Sequence, residues 1–135
     1  MIDAFVLEKL RSPRTKAKES GGLHEISPSD LLAQLYHALV LRTQVDPVSF
    51  SEVILGCVTQ QGEQAANIAK TSALRAGWPA SVAGMTINRF CSSSIDAIAL
   101  AAMKVNCGQT SALVAGGVEM MSRIPLMADG ARVFA

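Results

Sequence analysis

Four short apolar segments alternate with helical patterns along the chain, and this alternation restricts the possible folds more than any other feature. The segments lie at residues 4–7, 53–58, 82–87 and 112–115. They are apolar at successive positions, which is typical of strands whose two faces are both covered. The resulting order, β-α-β-α-β-α-β, predicts an α/β fold with a mixed, mostly parallel sheet and right-handed crossovers.

The three helical patterns have recognisable ends. Ser27-Pro28 combines a capping hydroxyl with a proline at the first helical position, which predicts the start of the first helix. The second pattern covers residues 65–76 and stops at Gly77, and the third covers residues 92–107. The third is apolar on nearly every face, which is typical of a helix buried on all sides. Because a chain of 135 residues is mostly surface, we expect a further layer, from a longer chain or a partner, to cover this helix.

Composition excludes several classes of protein. Half of the residues are apolar and only 17% are charged, which excludes intrinsic disorder. The net charge of +1 gives no support for a nucleic-acid or membrane-surface partner. No apolar run approaches the ~20 residues that a membrane-spanning helix needs. The odd number of cysteines argues against a secreted disulfide scaffold, and we expect a cytoplasmic location. The basic residues within 9–18 are interpreted as a solvated loop, with attraction of a phosphorylated ligand as the alternative.

Metal and nucleotide motifs are absent from the sequence. Neither glycine-rich phosphate loop is present, and there is no Gly-x-Ser-x-Gly nucleophile elbow. Cys57, Cys91 and Cys107 are too far apart for a Cys-x-x-Cys pair, so no metal site is predicted. His24 and His37 are distant from one another and from every cysteine, and we interpret them as ordinary loop and helix residues.

Cys91 is the residue best placed to carry chemistry. It falls between the third predicted strand and the third predicted helix. The first turn of a helix offers free N–H groups and the positive end of the helix dipole, which favour a thiolate and can bind an oxyanion. A buried structural cysteine is the alternative, and position alone does not separate the two. Cys57, within a strand, and Cys107, at a helix C-terminus, are interpreted as structural.

Five segments of the chain carry a resemblance to a known family, in the same order and over nearly the whole length. They are residues 3–13, 28–31, 56–69, 88–93 and 115–125. The two most specific read Asn-Arg-Phe-Cys-Ser-Ser, around Cys91, and Gly-Gly-Val-Glu-Met-Met-Ser-Arg, from Gly116 onwards. Together they resemble the N-terminal part of a thiolase, an acyl-CoA C-acyltransferase.

The resemblance implies a fold and a chemistry. Residues 1–120 would form the N-terminal half-domain of a five-layer αβαβα fold, and residues 121–135 would begin a truncated loop region. Cys91 would be the catalytic nucleophile, forming an acyl thioester during thiolysis of 3-ketoacyl-CoA or Claisen condensation of acetyl-CoA. Coenzyme A and acyl-CoA would be substrates, with no permanently bound cofactor. The complete protein would be a homodimer or homotetramer.

The resemblance also implies what the sequence lacks. A histidine that activates the nucleophile and a second, acid–base cysteine lie in C-terminal family motifs that this sequence does not contain. Much of the CoA-binding loop region is missing as well, so we expect the chain alone to be inactive. The alternatives are a β-ketoacyl synthase of the same superfold, against which the Gly-Gly-Val-Glu segment argues, and a non-catalytic thiolase-like binding module. Many relatives have glycine at the position of Ser94, where a side chain can crowd the turn.

Overall fold

In the computed structural model, which describes residues 3–130, three parallel strands form one sheet in the order β2-β1-β3. The strands are β1 (Glu52–Gly56), β2 (Ala83–Ile87) and β3 (Val114–Gly117). The helices are α1 (Pro28–Thr43), α2 (Ile68–Arg75) and α3 (Ser93–Asn106), with short 3-10 turns at Pro47–Ser49 and Gly62–Gln64. The predicted α/β class with parallel pairing is confirmed.

The first predicted strand is wrong. Residues 4–7 form neither strand nor helix, and Phe5, Val6 and Leu7 are each 79% exposed. Apolar and β-branched composition favours a strand only where a neighbouring edge pairs with it. In the described part of the chain β3 is an edge strand, and its outer edge has no partner. The order observed within residues 3–130 is therefore α-β-α-β-α-β.

Two other boundaries differ from the prediction for local reasons. Helix α2 begins at Ile68 and not at residue 65, because Ala66 and Asn67 have positive φ angles of 53° and 63° that no helix can contain. Asn67 then caps the helix through its side chain, which accepts a hydrogen bond from the Lys70 N–H at 3.4 Å. Strand β3 lies two residues later than expected and pairs with β1 through Gly117.

Central strand β1 is buried on both faces, and its residues alternate between two layers. Val53 and Leu55 face the layer formed by α1 and α2, within the main hydrophobic core. An aromatic cluster fills that side: the Trp78 ring lies 4.8 Å from Tyr36 and 5.2 Å from Phe50, between ring centroids. The Tyr36 hydroxyl hydrogen bonds with Ser72 Oγ at 3.1 Å, and burial raises the pKa of Tyr36 to about 12.

Helix α3 covers the other face of the sheet and differs from its prediction. Small residues face the sheet, with Ala97 fully buried and Ala101 8% exposed. On the opposite side Ile95, Ile98 and Met103 are 68%, 51% and 58% exposed, so the helix is not buried all round within the described residues. Within residues 3–130, no helix is both long and apolar enough to cross a membrane.

Candidate active site

The structure separates the three cysteines by their surroundings. Cys91 is exposed in the turn that joins β2 to α3, so it is not a buried packing residue. Cys57 is 1% exposed directly after β1, and burial, reinforced by the carboxylates of Glu119 and Asp129, raises its pKa to about 12. Cys107 is exposed and lies at the C-terminal end of α3. Only Cys91 combines exposure with a helix N-terminus.

The residue before Cys91 has an unusual backbone conformation. Phe90 has a φ angle of +48°, in the left-handed region, which costs roughly 1–2 kcal/mol for a residue with a Cβ. Two side chains hold it there. Asn88 Oδ1 accepts a hydrogen bond from the Phe90 N–H at 2.8 Å, and Ser93 Oγ donates to the Phe90 carbonyl at 2.6 Å. Strain that is supported in this way is typical of functional turns.

The turn is fastened to the rest of the sheet through Asn88. Its Nδ2 donates to the carbonyl of Val58, in the loop after β1, at 3.0 Å. The N–H of Val58 in turn donates to the Glu119 carboxylate, after β3, at 2.8 Å. Gln64 Nε2 also donates to Glu119, at 2.9 Å, and Gln64 Oε1 accepts from the Met120 N–H at 2.6 Å. The ends of all three strands are thus joined by hydrogen bonds beneath the Cys91 turn.

Two glycines at the ends of β1 and β3 let α3 begin close to the sheet. A Cβ on Gly56 would overlap the backbone of Ser93 and Ser94, and a Cβ on Gly117 would overlap Ser94 Oγ. The Ser94 side chain therefore lies against Gly117, and the lack of a side chain there accommodates it. The crowding expected at Ser94 is relieved by Gly117, the second glycine of the Gly-Gly-Val-Glu motif.

The backbone N–H groups of the turn are only partly free. The Ser92 N–H donates to the Arg89 carbonyl at 3.1 Å, and the Ser93 N–H to the Phe90 carbonyl at 3.0 Å. The expectation that the whole first turn offers free N–H groups is therefore wrong for these two. Within residues 3–130, the Cys91 N–H donates no hydrogen bond, although Cys91 forms an isolated β-bridge with Arg89. This N–H is therefore a donor of the turn that can bind an oxyanion.

The histidines lie in other parts of the structure. The His24 carbonyl accepts a hydrogen bond from Arg123 at 2.6 Å, and His37 Nε2 hydrogen bonds with the Ala76 carbonyl at 3.1 Å. In the part of the chain that the structure describes, neither ring hydrogen bonds with Cys91, and no group of three His, Cys, Asp or Glu residues could hold a metal ion.

The sequence indicated Cys91 as the candidate nucleophile but did not single out the polar residues that support its turn. Asn88, Ser93, Gln64 and Glu119 hold the turn and the strand ends. The available signal was that all four lie inside segments that resemble known family motifs. Nothing in their spacing along the chain indicates which of them contact one another.

Comparison with known proteins agrees with the motifs. The family model for the thiolase N-terminal domain matches residues 5–133. A steroid 3-ketoacyl-CoA thiolase of Mycobacterium tuberculosis is 42% identical over 126 residues, which are 93% of this chain. A 3-oxoadipyl-CoA/3-oxo-5,6-dehydrosuberyl-CoA thiolase of Escherichia coli is 41% identical over 128 residues, or 94% of this chain.

A solved structure agrees as well. The crystal structure of the Bacillus anthracis acetyl-CoA acetyltransferase is 44% identical, with a TM-score of 0.72 over 78% of this chain and 26% of the solved one. The matched region is 30% and 31% of the two curated relatives. The chain therefore spans about a third of the length of the relatives it matches.

Proposed function

This chain belongs to the thiolase family, and we propose that it provides the nucleophile-bearing N-terminal part of an acyl-CoA C-acyltransferase. The observation that carries the proposal is Cys91, exposed in a strained turn at the N-terminus of α3. The Cys91 N–H is available to an oxyanion. A thiolate beside an oxyanion donor is what attack on an acyl carbonyl requires.

In the degradative direction, the Cys91 thiolate attacks the keto carbon of a 3-ketoacyl-CoA. The negative charge moves to the carbonyl oxygen, where the Cys91 N–H stabilises it. When the carbonyl re-forms, the bond between carbons 2 and 3 breaks, and acetyl-CoA leaves after its carbanion takes a proton. The thiolate of free CoA then attacks the acyl thioester, which releases the shortened acyl-CoA and regenerates the Cys91 thiolate.

In the synthetic direction, Cys91 exchanges its thiolate with acetyl-CoA, so that an acetyl thioester forms and CoA leaves. A second acetyl-CoA, deprotonated at its α-carbon, attacks that thioester. A new carbon–carbon bond forms and the Cys91–acyl bond breaks, giving acetoacetyl-CoA. Coenzyme A is a substrate in both directions, and the proposed reaction uses no permanently bound cofactor.

The rest of the proposal concerns the whole protein. We propose an N-terminal half-domain over residues 1–120 and the start of a loop region over residues 121–135, of which residues 1–2 and 131–135 lie outside the described part of the chain. The assembly is a homodimer or homotetramer in the cytoplasm. The exposed side of α3, with Ile95, Ile98 and Met103, supports the need for a further covering layer, because adjacent exposed apolar side chains typically mark an interaction surface.

The test is acetylation of Cys91. The chain is incubated with acetyl-CoA, digested and examined by mass spectrometry for an added acetyl group on each cysteine. We expect acetylation of Cys91 well ahead of Cys107, and none on Cys57. Cys91→Ser should lose the acetylated site, whereas Cys107→Ser serves as the matched control and should keep it. Equal acetylation of the two exposed cysteines, or none on Cys91, would overturn the proposal.

A further inference from the structure

We propose that Ser93 is a positioning residue for Cys91: its side chain holds Phe90 in the left-handed conformation that sets where the thiol points. This inference rests on the proposed function only in naming Cys91 as the nucleophile. The geometry itself is independent of substrate. The buried Ser93 hydroxyl hydrogen bonds with Arg89 and Phe90, the two residues that precede the nucleophile.

Ser93 uses its hydroxyl entirely within the turn. It is 3% exposed, its Oγ donates to the Phe90 carbonyl at 2.6 Å, and the same Oγ accepts from the Arg89 N–H at 2.8 Å. Removing this hydroxyl is costly, because the Arg89 N–H loses its acceptor and the Phe90 carbonyl keeps only its bond from the Ser93 N–H. One bond holds the peptide group that follows Phe90, and the other holds the N–H of Arg89, the residue before Phe90.

The neighbouring serines have no such role. Ser92 makes no side-chain capping bond, although it occupies the N-cap position of α3. The Ser94 side chain lies against Gly117. Three consecutive serines therefore differ in function, and only the middle one supports the conformation of Phe90. Ser92→Ala is therefore a matched control for Ser93→Ala, because it removes the same hydroxyl from a serine that makes no capping bond.

Phe90 requires support because a bulky residue seldom adopts positive φ. Without the bonds from Ser93, we expect it to shift toward negative φ. Because the chain direction at Phe90 determines where the next residue lies, Cys91 would then move away from the helix N-terminus. Asn88 supports the same residue from its other side, through the Phe90 N–H at 2.8 Å.

The experiment measures alkylation of each cysteine by iodoacetamide, in which the thiolate displaces iodide. Peptide mass spectrometry gives the rate at Cys91 relative to Cys107, while buried Cys57 reports any unfolding. We expect Ser93→Ala to lower the Cys91 to Cys107 ratio by about threefold to tenfold, the factor expected for one lost hydrogen bond. Ser92→Ala should leave the ratio unchanged.

A glycine background tests whether Ser93 acts through Phe90. Glycine adopts positive φ about as readily as negative φ, so in a Phe90→Gly chain the turn needs no support. Ser93→Ala should then have little effect on the ratio. If Ser93→Ala exposes Cys57, Asn88→Ala provides the same comparison from the exposed side of the turn, with and without Phe90→Gly.

The outcomes separate the two proposals. The positioning role would be overturned if Ser93→Ala leaves the Cys91 to Cys107 alkylation ratio at its wild-type value, or if Ser92→Ala lowers the ratio as much as Ser93→Ala does. It would also be overturned if Ser93→Ala lowers the ratio as much in the Phe90→Gly background as in the wild-type background. An Asn88→Ala substitution that lowers the alkylation ratio equally with and without Phe90→Gly would also overturn the positioning role. Failure of acetyl-CoA to acetylate Cys91 in the wild-type chain would overturn the proposed function, and the alkylation ratios would still be measurable.

Discussion

The two faces of the sheet are built on different principles. On the face covered by α1 and α2, large side chains are buried and the rings of Tyr36 and Phe50 pack against Trp78. On the face covered by α3, small residues contact the sheet and the large side chains point outward. The Cys91 turn lies at the start of α3, so the candidate chemistry belongs to the less completely covered face.

The difference shows how a helix that packs close to the sheet can place a reactive residue at the ends of the strands. Alanines and the glycines at 56 and 117 let α3 approach the sheet, which places its N-terminus directly above the strand ends. The aromatic face supplies the buried apolar area that stabilises the strands. The first face therefore stabilises the sheet, and the second positions Cys91.

Under the proposed function, Cys91 on the α3 face is the nucleophile, and within residues 3–130 neither histidine ring hydrogen bonds with it. We therefore expect the 135-residue chain alone to catalyse thiolysis of acetoacetyl-CoA several orders of magnitude more slowly than a complete thiolase, because each missing proton-transfer group costs about 10²–10⁴-fold. The assay follows loss of acetoacetyl-CoA in the presence of CoA, with Cys91→Ser as the blank. Turnover comparable to that of a complete enzyme would show that this face is sufficient.

Matched isoleucines test the difference in packing. Ile68 on α2 is fully buried, and Ile98 on α3 is 51% exposed. We expect Ile68→Ala to lower the free energy of unfolding by about 2–5 kcal/mol, and Ile98→Ala to change it by about 0.5 kcal/mol or less. Urea unfolding of both variants measures this. Equal losses would mean that α3 is packed on its outer side in solution.

Much of this architecture could be predicted from the sequence. The alternation of segments predicted parallel pairing, and the capping signal at Ser27 placed the start of α1 correctly. The failure at residues 4–7 has a physical cause. Apolar composition indicates what a segment can do, whereas strand formation depends on a partner edge elsewhere in the fold.

The candidate site also has features that could be predicted from the sequence and features that could not. The position of Cys91 between a strand and a helix follows from local pattern, and the structure places it there. The bonds from Asn88 to Val58 and from Val58 to Glu119 join residues 30 and 61 positions apart. Contacts of that kind depend on how the strand ends meet, which no local pattern specifies. The positive φ of Phe90 was equally hidden, because phenylalanine does not favour it.

The Tyr36 hydroxyl gives a smaller test of the aromatic face, through pH. Burial raises the pKa of Tyr36 to about 12 from an ordinary value near 10. The neutral phenol is thus favoured in the folded state. The stability that the folded state gains by keeping this phenol neutral is complete below pH 10 and should be lost as the pH rises toward 12. We expect Tyr36→Phe to lower stability by about 1 kcal/mol at neutral pH, through the lost bond to Ser72.

The alkaline limb of the stability curve separates this buried phenol from general alkaline unfolding. Urea midpoints measured between pH 8 and pH 11 should fall more steeply for the wild type than for Tyr36→Phe, which has no phenol to ionise. Ser72→Ala is the matched control, because it removes the same hydrogen bond but leaves the buried phenol, and its curve should keep the steep limb. Parallel curves for wild type and Tyr36→Phe would mean that water reaches the aromatic cluster. The face beneath α1 and α2 would then be no better sealed than the one beneath α3.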